Sequence, residues 1–133
     1  MRSPIAPTSA HTSWLAVALV AGAILVLSVI PIPGSVPEEG GGVPTSVLFH
    51  FLGYATMAPL LAFSSLTREL RVRPIATGLL GTSAYGVLIE CLQHPIPYRS
   101  FSYLDMLVNG AGATAGTVVL LCVLSLSLSD DRG

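Results

Sequence analysis

Lysine is missing altogether: all six cationic side chains of this 133-residue chain are arginines, and charged residues of either sign make up only 10%. Soluble domains carry roughly 25% charged residues, so water is excluded as the main solvent. The charges that exist sit almost wholly at the ends and in short polar breaks between apolar runs. Cysteine is nearly absent as well, and Cys91 and Cys122 fall at depths about 25 Å apart on their helices. That separation excludes an intrachain disulfide. Also lacking are zinc-spaced Cys/His clusters, a phosphate-binding P-loop, a dinucleotide-binding glycine pattern and a nucleophile elbow. The familiar soluble enzyme motifs are therefore absent, and no cofactor or metal is expected.

What remains is four apolar runs, at residues 14–30, 47–66, 75–92 and 104–126. Each has about the length needed to cross a hydrocarbon core of about 30 Å. The expected fold class is all-α, a membrane-embedded bundle of four transmembrane helices. The expected limits are an N-terminal tail at 1–12, a membrane domain at 13–127 and a C-terminal tail at 128–133. The first run is longer than a signal-peptide core and is followed by Pro31-Ile32-Pro33-Gly34 instead of a small-x-small cleavage site, so it is expected to stay attached.

Arg68, Arg71 and Arg73 share the short connection 67–74, and basic short loops stay in the cytoplasm. An even number of spans then puts both termini on the cytoplasmic side of the cell membrane, with Arg2 and Arg132. Arg99, in the loop between the third and fourth helices, is left outside, as are Glu38 and Glu39 in an irregular loop 31–44 rich in Pro and Gly.

This topology gathers His50, Tyr54, Glu90, Gln93, Arg99, Asp105 and Asn109 at one membrane level, the outer one. His50 and Tyr54 are four apart, Glu90 and Gln93 three apart, and Asp105 and Asn109 four apart, so each pair shares a helix face. Gly78, Thr82 and Gly86 continue one stripe and Gly112 and Gly116 another, a pattern expected to bring the third and fourth helices close together. An ionisable group within a span costs about 2.5–3.5 kcal/mol near the centre, so Glu90 needs a reason. The expectation is that Arg99 folds over the bundle and pairs with Glu90 and Asp105, with His50 nearby.

Structural readings compete for most of these residues. Ser102-Tyr103-Leu104-Asp105 fits a capping box, which balances a functional role for Asp105. Tyr54, Tyr98 and Tyr103 read first as interfacial anchors, Asn109 as helix glue, and His50 alone as a hydrogen-bonded histidine. Glu90 and Arg99 together lean toward function. Pro59 is expected to kink the second helix. No residue is assigned as catalytic.

The same residues resemble the VanZ-like family of small membrane proteins. The matching text is His50-Phe51-x-x-Tyr54, then Tyr85-Gly86-x-x-x-Glu90-x-x-Gln93, then Arg99 with Phe101, then Asp105-x-x-x-Asn109-x-x-Gly112-x-x-x-Gly116. It runs over about 70 residues. The family often has an acidic–basic pair just before the His-Phe step, where this chain has Ser46 and Val47. The resemblance implies a role at the cell envelope and no defined reaction.

Two functions follow as expectations. One is a site that binds or processes an envelope lipid or lipid-linked precursor, with Arg99 and His50 on an anionic headgroup and Glu90 or Asp105 as proton acceptor. The other is a non-enzymatic membrane scaffold or subunit whose polar cluster is structural. The expected partners are membrane lipids, a lipid-linked envelope precursor, a membrane-protein partner or a second copy, and no nucleic acid. Transport ranks lower, since neither an inverted repeat nor a pair of broken helices is evident.

Overall fold

A computed structural model describes residues 8–31, 43–65, 72–99 and 101–130, all of whose regular structure is helical. The four helices are α1 (Thr8–Val29), α2 (Thr45–Ser64), α3 (Val72–Gln93) and α4 (Tyr103–Asp130). Three carry stretches long and apolar enough to cross a membrane, Thr45–Ser64, Arg73–Gln93 and Tyr103–Ser127. The apolar stretch of α1 is shorter, Ser13–Val29.

The four apolar runs are each found as a helix, with ends moved by polar flanks that helical backbone tolerates. Arg73, expected in a loop, stands in the first turn of α3 beside Pro74, where a proline needs no N–H partner. At the other end α4 continues through Ser125, Ser127 and Ser129, each hydroxyl turned back onto a carbonyl of the preceding turn. Arg2, Glu38, Glu39, Arg68, Arg71 and Arg132 lie outside the described residues.

The surface is apolar and the interior mixed, the reverse of a water-soluble bundle. Leucine and valine dominate the exposed positions of α1 and α4, whereas His50, Thr82, Glu90, Gln93, Asn109 and Thr117 are buried. Facing outward in this way, the side chains suit a lipid solvent.

α2 is the hub. It packs against α1, α3 and α4, while α1 and α4 do not meet among the described residues. The glycine stripes of α3 and α4 account for this, though not as expected: they close onto α2 more than onto each other. A Cβ on Gly78 would lie 2.7 Å from that of Ala62. A Cβ on Gly112 would collide with the Phe51 carbonyl, and one on Gly116 with the Ala55 carbonyl. The Ala55 contact has a local cause. Pro59, four residues on within α2, has no N–H to give that carbonyl, so Gly116 packs against an oxygen the helix itself leaves free. Only Gly86 faces both neighbours, touching Tyr54 of α2 and Asn109 of α4.

Candidate functional site

The α1 C-terminus, α2 N-terminus, α3 C-terminus and α4 N-terminus share one end of the bundle, and the seven polar residues singled out above gather there. His50 Nδ1 lies 3.0 Å from Asn109 Oδ1. An amide carbonyl oxygen can only accept, so in this arrangement the Nδ1–H donates to Asn109. One turn further along α2, the Tyr54 ring lies nearly parallel to that of His50, at 17° and 6.1 Å between centroids.

Glu90 is fully buried, and its role differs from the expected ion pair. Its Oε2 accepts the Ser102 backbone N–H at 3.0 Å, while Ser102 Oγ accepts the Asp105 N–H at 3.1 Å. In a capping box the third residue of the helix returns the bond to the cap N–H. Here Glu90, from another helix, takes that place at the N-terminus of α4.

Arg99 does not join Glu90 either. Its Nη2 donates to the carbonyls of Leu27 at 3.3 Å and Ile30 at 3.2 Å, which caps the C-terminus of α1 with a cation. The physical reason is that helix-terminal carbonyls are left without intrahelical partners, and those at the end of α1 lie beside the loop that carries Arg99.

Gln93 donates to Ser28 O at 2.9 Å, Tyr98 Oη to Val29 O at 2.8 Å, and Tyr85 Oη to Ala21 O at 2.7 Å. With Arg99, these side chains hang α1 from α3 and the loop that follows it. Tyr85 and Ser28 were not foreseen as site residues. No sequence signal marks Ser28, because its backbone carbonyl is what Gln93 uses.

Tyr54, read as an interfacial anchor, is wholly buried. Tyr103 is highly exposed, as an anchor should be, and packs edge-on to Phe101. Asp105 is half-buried at the first turn of α4. Cys91 and Cys122 are free and exposed, as their depths required.

Among the described residues, four buried polar atoms have no hydrogen-bond partner: Tyr54 Oη, Thr82 Oγ1, Glu90 Oε1 and Asn109 Nδ2.

Beside the cluster a half-open cleft of about 510 Å³ runs between α1 and α2. Its walls are apolar, from Ile24 and Leu27 on α1 to Phe49 and Leu52 on α2. At one end stand Arg99, His50, Ser28, Thr45 and Ser46. Gly53 keeps the floor low, facing the Ile24 side chain. A mainly apolar concavity with a few polar groups gathered at one end is what an amphiphile needs.

Comparison of the chain with protein-family models, with curated proteins and with solved structures gives no match.

Proposed function

We propose that this protein is a four-span, VanZ-like protein of the cell membrane, with both termini cytoplasmic, that binds an anionic envelope lipid or lipid-linked precursor from the outer leaflet. The α1–α2 cleft carries this reading, because it joins an apolar slot to the guanidinium of Arg99. One nitrogen of Arg99 holds α1, and a guanidinium has five N–H donors, so others remain for a phosphate oxygen. α1 spans 22 residues, or about 33 Å, which supports counting it as a fourth crossing. The arginines of 67–74 support the orientation.

Glu90 has a structural part in this reading: sealed from the cleft, it holds α4 in place. No reaction is assigned. The test is lipid analysis of the protein purified in mild detergent, at matched folding yield. An anionic lipid should be enriched on the wild type, lost from Arg99→Gln and kept by Glu90→Gln. If no lipid is selected and Arg99→Gln is only less stable, the second reading, a membrane scaffold, takes over. That reading draws on the bonds by which Glu90, Gln93 and Tyr85 tie the helices together.

A further inference from the structure

The cleft also carries information about which headgroup it takes, and His50 holds it. The ring is over nine-tenths buried, with 8% exposed. Its Nδ1–H is committed to Asn109 Oδ1. Nε2 is the remaining polar atom of the ring, and it is not among the sealed unpartnered atoms of the cluster. His50 and Arg99 both line the cleft. In a neutral ring with its hydrogen on Nδ1, Nε2 has a lone pair and no hydrogen. A ligand must bring a donor to it.

From this we infer that the ligand is an anionic phospholipid whose headgroup carries a hydroxyl beyond its phosphate, a glycerol or sugar-type phosphodiester. The phosphate meets Arg99, the hydroxyl donates to His50 Nε2, and the acyl or prenyl chain lies along Ile24, Leu27, Phe49 and Leu52. Asn109 acts as a positioning residue: it never touches the lipid, but by accepting from Nδ1 it keeps Nε2 an acceptor. A bare phosphate monoester supplies charge without the polyol hydroxyl. A choline headgroup supplies neither net charge nor a donor. The inference rests on the lipid-binding reading above and adds its specificity.

The experiment is competition binding on the detergent-solubilised full chain, using a fluorescent anionic phospholipid displaced by phosphatidylglycerol, phosphatidylinositol, phosphatidic acid or phosphatidylcholine. Phosphatidylglycerol or phosphatidylinositol should displace about five- to tenfold better than phosphatidic acid, the worth of one hydrogen bond in a desolvated site. Which of the two is better separates a glycerol from a sugar source. His50→Phe should abolish the preference for the hydroxylated lipids, so that phosphatidylglycerol and phosphatidic acid displace the probe equally well. His50→Gln, which restores an acceptor, should recover part of the preference and guards against a folding defect. Asn109→Leu should weaken the preference without touching the Arg99 contribution. If phosphatidic acid binds as tightly as phosphatidylglycerol while Arg99→Gln weakens both, the hydroxyl inference is overturned and the lipid site stands. If no anionic lipid outcompetes phosphatidylcholine, both fall.

Discussion

Glu90 shows how one buried carboxylate is kept in an apolar bundle. Its Oε2 accepts a backbone N–H that α4 cannot satisfy internally. Glu90→Gln keeps an acceptor for Ser102, so thermal stability in detergent should change by less than about 1 kcal/mol. Glu90→Leu leaves the Ser102 N–H without a partner and should cost about 1–3 kcal/mol. Equal melting temperatures for the two variants would refute the capping role. That Glu90 needed a partner was legible from its place inside an apolar run. That the partner is a backbone N–H was not, because main-chain donors are the same at every position and leave no mark in a sequence.

At the scale of elements, the assembly depends on glycine meeting a free carbonyl. Gly116→Ala forces a Cβ against Ala55 O, and α4 must back away from α2, at a cost of roughly 1–3 kcal/mol. Gly110, on the same helix, has nothing near its missing Cβ, so Gly110→Ala should leave stability unchanged or raise it slightly. Thermal unfolding of the two variants side by side checks the contrast; comparable losses would mean that α4 does not seat on α2 through Gly116. The stripes were readable as close-packing faces from their four-residue spacing. Their partner was not, because spacing defines a face and says nothing of which helix it meets. Pro59 supplies the missing information, since it creates the orphan carbonyl that α4 covers.

For the whole molecule the main issue is direction. In the proposed arrangement of four crossings with an inward 67–74 loop, the α3–α4 connection faces outward. In a chain freed of Cys91 and Cys122, Tyr98→Cys should react with a membrane-impermeant maleimide on intact cells, and Ser65→Cys only after permeabilisation. Labelling of both, or the reverse order, would overturn the proposed orientation, and with it access to the cleft from the outer leaflet.

Amino-acid order alone determined that the chain is helical, that its helices present leucine and valine outward, and that seven polar residues share one end, because apolar run length and helical period are local properties. Tertiary structure decided the pairings. Arg99 pairs with the carbonyls of α1 and Glu90 with the N-terminus of α4, each an unsatisfied helix end. The cleft is likewise a property of the assembly: α1 touches α2, is hung from α3 by long side chains, and leaves between α1 and α2 a space that no single segment encodes.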